Sequence, residues 1–200
     1  CPLLKFLNLS YNQLTTINVT QNSLLQHLFI HEQYQNGNPG FGFLNVASNP
    51  NLKLLYANNA GYINTIDVTQ NTKLKTILLK NHSINTDVDT SSMPDLQHLE
   101  LDHNNAPGID VTNNPLLYSL SCDNAGQTSS VDVTQNPLLE VLRYNDNDIT
   151  SIDLSQNSIL KVLALKSTLL TSLDLSNNTL ITNLDISNTL LSSINLRDIP

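Results

Sequence analysis

The 200-residue chain is poor in charge, with only 13% Asp, Glu, Lys and Arg. Nine Lys and Arg stand against 17 Asp and Glu, for a formal net charge of −8. An anionic chain without a basic run has little to offer a phosphate backbone or an anionic bilayer surface, which argues against nucleic acid as a partner. No stretch approaches the roughly 18 consecutive apolar residues that a membrane-spanning helix requires, so membrane insertion is not expected. No secretory leader is legible, because Cys1-Pro2-Leu3 already begins inside a repeat. Cys1 and Cys122 are the only cysteines, and about five repeats separate them, too far for one disulfide. Catalytic signatures are missing as well. There is no G-x-S-x-G, no H-E-x-x-H, no phosphate loop and no usefully spaced Cys/His pair. His27 and His31 lie about 13 Å apart if they share a strand, too far to hold one metal, and His82 belongs to a corner. The residues suggest no enzyme, no cofactor and no metal centre.

What the chain does have is a repeat. The clearest unit is NPLLEVLRYNDNDITSIDLSQN, Asn136 to Asn157. The same frame runs on to Asn178 and back through Asn114, Met93, Asn71, Asn49 and Asn22. Successive steps are 21 or 22 residues, except the 27 between Asn22 and Asn49. An insertion is therefore placed at about residues 31–43. Each unit has two similar halves, Leu4, Leu7, Leu9, Asn12 and then Leu14, Ile17, Val19, Asn22 in the first. Alternation around Leu7-Asn8-Leu9 and Ile17-Asn18-Val19 has the period of a half-buried strand. Each half is too short for two corners and a helix of several turns. The expectation is a solenoid of about nine 21–22-residue turns, mainly parallel β on both sides, with little or no helix. It forms one domain over residues 1–200, stabilised by turn-on-turn contacts. Both ends enter and leave in frame without a polar cap, so the chain reads as a segment of a longer solenoid with flanking domains.

Asn22, Asn49, Asn71, Asn114, Asn136, Asn157 and Asn178 form one corner column. An inward Asn amide there can satisfy corner backbone groups that no strand ladder reaches. The opposite corner is looser, with Asn12, Asn104 and Asn147 fitting and Ala60, His82, Ala125, Thr168 and Thr189 not.

The pattern L-x-x-L-x-L-x-x-N followed by L-T-S-L-D-L-S-x-N resembles bacterial leucine-rich repeats of short period. Within these it is most similar to the internalin J-like 21-residue type, also common in secreted Bacteroidetes proteins. In that type a cysteine often takes the inward position of the first half. Here only Cys122 does, while other turns carry Leu9, Ile30, Ala57, Leu79, Leu101, Tyr144, Leu165 and Ile186. The resemblance implies a secreted or cell-surface bacterial protein used in adhesion or protein recognition.

The outward positions of the first strand vary in chemistry from turn to turn, as a recognition surface would. The second strand is monotonous, with an outward column of Asp67, Asp89, Asp110, Asp132, Asp153 and Asp174 between rows of Thr and Ser. Calcium is a weak expectation for Asp110, Asp132, Asp153 and Asp174, because a flat row of single carboxylates does not surround one point with six to eight oxygens. Eight of the ten Phe and Tyr lie before residue 63, around the insertion. Exposed aromatics and long loops on rigid scaffolds favour binding. Phe6, His27, Phe29, His31, Tyr34, Phe41 and Tyr56 are accordingly the candidate ligand-binding residues, for a protein or glycan ligand. Phe41 or Phe43 alternatively plugs the gap that the insertion creates. The competing function is a structural spacer or stalk.

Overall fold

Every turn places one aliphatic side chain between two outward neighbours, and that triplet becomes a strand. The computed structural model describes residues 1–33, 39–126 and 130–196. Nine three-residue strands run through it: β1 (Phe6–Asn8), β2 (His27–Phe29), β3 (Leu54–Tyr56), β4 (Thr76–Leu78), β5 (His98–Glu100), β6 (Ser119–Ser121), β7 (Val141–Arg143), β8 (Val162–Ala164) and β9 (Asn183–Asp185). They form one parallel sheet in sequence order. The register carries Phe6 onto His27, His27 onto Leu54, and so on to Asn183, which is the repeat frame of the sequence. The central residues Leu28, Leu55, Ile77, Leu99, Leu120, Leu142 and Leu163 are completely buried. One contiguous apolar core runs the length of the stack. Among the described residues there is no α-helix.

At the corner before each strand the chain makes two successive tight turns. Asn49 N donates to Val46 O and Leu52 N to Asn49 O, and the same pair recurs at Asn71, Asn114, Asn136, Asn157 and Asn178. The Asn side chains link these corners across turns. Asn49 Nδ2 donates to Val19 O and Asn22 O, and Asn71, Asn136, Asn157 and Asn178 donate in the same way to the preceding turn. In the first turn Asn22 Nδ2 donates to Cys1 O at 2.6 Å. Met93 interrupts the column and sits in the apolar core. There Thr90 takes the place of the usual Val or Leu, and its hydroxyl donates to Asn114 Oδ1. Asn114 Nδ2 in turn donates to Thr90 O and Met93 O.

The expected strands on the second side do not form. No strand is assigned there among the described residues. The Asp column explains why. The N–H groups of Thr69, Ser91, Thr112, Thr134, Ser155 and Ser176 each donate to the carboxylate two residues earlier. Asn18 and Asn45 serve Thr20 and Ala47 in the same way. These local turns take donors that a second ladder would need. The second half of each turn therefore packs its apolar residues inward without sheet pairing. Among the described residues helix is absent, as the short half-repeats predict, but the β-structure is one-sided.

The corner after each strand also repeats. Tyr11, Glu32, Asn59, Asn81, His103, Asn124, Asp146, Ser167 and Asn188 all have φ between 48° and 59°. This left-handed position recurs once per turn and is filled mostly by Asn and Asp, which tolerate it better than other side chains. Asn59 donates to Glu32, Asn81 to Asn59, and Asn188 to Ser167.

The insertion docks on this corner. Gly40 and Gly61 form an isolated antiparallel bridge, and Phe41 N donates to Ala60 O at 2.7 Å. A Cβ on either glycine would collide with the other strand's backbone. Behind this contact, His82 places Nδ1 2.8 Å from Gly61 O and Nε2 2.7 Å from Ala57 O. Burial pulls its pKa below the usual value, and the two carbonyls oppose that shift.

Candidate functional site

The parallel register sets the outward residues of the nine strands in rows. One row reads Asn8, Phe29, Tyr56, Leu78, Glu100, Ser121, Arg143, Ala164, Asp185. Strand pairing leaves these side chains nowhere to go but outward, so the sequence of each turn is displayed directly on this face.

Turns 1 to 3 carry a continuous run of rings. Phe6 lies 5.3 Å from Phe29 and 6.1 Å from His27. Phe29 meets Tyr56 edge-on at 6.1 Å, and Tyr56 stacks on His31 at 4.0 Å. Tyr11, 69% exposed, meets His31 edge-on at 5.1 Å. The His31 ring is also fixed by Ser10 Oγ, 2.8 Å from Nδ1. Burial lowers the His31 pKa from its usual value, with the Glu32 carboxylate opposing. Burial raises that of Tyr56, reinforced by Glu100.

Five of the sequence-derived candidates, Phe6, His27, Phe29, His31 and Tyr56, thus come together. Phe41 does not join them. It has no exposed surface and fills the core beneath the insertion, where its backbone bond to Ala60 carries the ring inward. The packing alternative is the correct one for Phe41, while Phe43 remains 65% exposed. Tyr34 lies outside the described residues. Tyr11 completes the ring cluster without having been singled out; its signal was its place just after the strand, in the left-handed position.

The face changes character at turns 4 to 7. Asp102 Oδ1 accepts from Ser121 Oγ and from Asp123 N, and its Oδ2 lies 3.8 Å from Lys80 Nζ. Asp123 Oδ1 accepts from Asn145 N, and Asn145 Oδ1 from Lys166 N. Asn58 Nδ2 reaches Glu100 at 3.3 Å. Burial raises the Asp123 pKa and lowers that of His98.

The carboxylates of the second side have a different task. Asp110, Asp132, Asp153 and Asp174 each accept from the backbone N–H two residues on, and Asp110 and Asp132 also from a Thr hydroxyl. Hydrogen bonds from Thr112, Ser155 and Ser176 hold Asp110, Asp153 and Asp174 below the usual carboxylate range. Among the described residues, no group of three or more His, Cys, Asp or Glu converges as a metal site.

Such a stack, with parallel strands on one side, an Asn-linked corner and a 21–22-residue frame, decides the class. The chain is a leucine-rich-repeat solenoid. It is similar to the functional domain of InlJ from Listeria monocytogenes, at 28% identity and a TM-score of 0.90, over 98% of this chain and 42% of that one. That domain is described as including a cysteine ladder, whereas this chain has one inward cysteine, Cys122. A leucine-rich-repeat protein of Leptospira interrogans is similar at 20% identity and a TM-score of 0.78, over 94% of this chain and 50% of that one. The ectodomain of an Arabidopsis thaliana receptor kinase, solved in complex with CASPARIAN STRIP INTEGRITY FACTOR 2, is similar at 20% identity and a TM-score of 0.81, covering 93% of this chain and 24% of that one. This chain thus spans half or less of the length of each. No protein-family model and no curated protein matches. No helix among the described residues is long and apolar enough to cross a membrane.

Proposed function

We propose that this solenoid is a recognition module of a secreted or cell-surface bacterial protein, and that it engages a macromolecular ligand through the strand face of turns 1 to 3. The ring cluster of Phe6, His27, Phe29, His31 and Tyr56 carries this reading. Aromatic side chains left in contact with water are the usual anchors of interfaces. A spacer needs no such cluster and would show on both sides the uniformity that only the Asp side shows. The similarity to InlJ of Listeria monocytogenes supports a bacterial setting. The receptor ectodomain solved with its partner shows that a similar stack can serve recognition.

The test uses an array of purified secreted and cell-surface proteins, probed with the fluorescently labelled chain. At least one signal is expected to disappear in the Phe29→Ala/Tyr56→Ala double variant while its melting curve stays close to that of the parent. Identical signals from both proteins would leave the spacer reading in place.

A further inference from the structure

The strand face is stepped. At β6 the outward residues are Ser119 and Ser121, and both are buried although they point away from the core. They are short where neighbouring turns carry His98, Glu100, Val141 and Arg143. The result is a depression of about 400 Å³ with the two serines as its floor. Three carboxylates border it, Glu100, Asp102 and Asp123, against two cations, Lys80 and Arg143. The depression is thus short of positive charge by one.

The ring cluster on the same face has a geometry that narrows the ligand. A glycan that lays successive sugars on several rings at once is best served by open, nearly coplanar ring faces. Here Phe6 and Phe29 are inclined by 41°, Phe29 and Tyr56 by 65°, and Tyr11 and His31 by 83°. Among the described residues the one near-parallel pair of this cluster, His31 and Tyr56 at 18°, is closed upon itself. Tilted rings present edges and clefts, which fit aliphatic and aromatic side chains.

We infer that the occupant of this face is an extended segment of protein that sets an apolar side chain against Phe29 and Tyr56 and a lysine or arginine into the serine-floored depression of β6. The inference rests on the strand-face reading above and adds the ligand's chemistry to it. Three strand spacings separate β3 from β6, about 14 Å, which an extended chain covers in about four residues. Anchor and cation therefore stand about four residues apart. Arginine suits the site better than lysine, because its planar fork can meet two carboxylates at once.

The test pans a phage-displayed library of random dodecapeptides on the immobilised chain and runs a glycan array in parallel. Enriched peptides are synthesised with a fluorophore and titrated by anisotropy against the parent, Phe29→Ala/Tyr56→Ala and Glu100→Gln/Asp123→Asn. The Asn and Gln variants keep the acceptor oxygens used by Asn145 N and Asn58, so the fold is retained, and a melting curve checks it. Enriched peptides are expected to share an apolar residue and an Arg or Lys about four positions apart, and each double variant is expected to weaken them at least tenfold. Peptides without a basic residue, or binding indifferent to Glu100→Gln/Asp123→Asn, would overturn the inference. So would glycan binding that depends on Phe29 and Tyr56, although strand-face recognition would then stand. Peptides that bind the Phe29→Ala/Tyr56→Ala variant as well as the parent would sink both, as would the enrichment of no peptide and no glycan.

Discussion

Tyr144 occupies an inward position that other turns give to Leu, Ile, Ala or Cys, and its hydroxyl is buried without a hydrogen-bond partner. Burial, with Cys122 as a lesser cause, pushes its phenol well above the usual range, so it stays neutral in the core. On folding, the hydroxyl gives up its bonds to water and receives nothing in return. Leaving such a group unmatched costs about 1–3 kcal/mol. Phenylalanine keeps the ring, and with it the packing against the neighbouring turns, and removes only the oxygen. Tyr144→Phe is therefore expected to stabilise the chain by about 1–3 kcal/mol, with the melting temperature rising by about 2–4 °C per kcal/mol at this chain length. Urea titration followed by circular dichroism measures it, the midpoint moving up while the slope stays constant. Tyr144→Ala serves as the packing control and should cost about 3–5 kcal/mol. A lower midpoint for Tyr144→Phe would refute the reasoning, since it would mean that the hydroxyl has a partner in solution, such as a buried water.

Asn136→Ala removes two hydrogen bonds to the preceding corner and leaves a small cavity, so a loss of about 2–3 kcal/mol is expected by urea titration, against a smaller loss for Asn22→Ala at the exposed first corner. Gly61→Ala forces a Cβ into the backbone of Phe41 at a φ of 141°; the insertion should undock, visible as new proteolysis near Phe41 and as destabilisation by at least about 2 kcal/mol. Asp67, Asp110, Asp153 and Asp174 have pKa values depressed in the folded state by hydrogen bonds from their own turns. Their stabilisation is fully present above the ordinary carboxylate value of about 3.9 and is lost as pH falls through the lower folded values. Melting temperature should therefore fall as the pH drops below about 4. Asp153→Asn should flatten that dependence without unfolding the chain, because Asn18 and Asn45 already play the same part.

The corner column shows how far side-chain chemistry reads through from sequence. An Asn recurring in one frame, with Met93 as its single break, pointed to amide donors on corner carbonyls, and the donors lie there. What the letters did not carry was the fate of the second half of each turn. Its alternation matched a strand as well as the first half did. The motif Asp-x-Thr/Ser was the missed signal: a carboxylate two residues before an N–H competes with any neighbouring strand for that donor. The calcium expectation for Asp110, Asp132, Asp153 and Asp174 took no account of this local bond.

By itself the sequence determined the repeat, the inward aliphatic positions and the order of chemistry along the strand face. A solenoid translates period into position, because each residue can meet only its counterparts in the adjacent turns. Tertiary structure alone decided the rest. Phe41 and Phe29 are the same residue type in the same stretch of chain, yet the Gly40–Gly61 bridge carries Phe41 into the core while the parallel ladder holds Phe29 on the surface. The inclination of the rings and the serine-floored depression likewise depend on how tall neighbours on adjacent turns stand around short ones, a relation between residues about 21 positions apart that only the packed stack brings into contact.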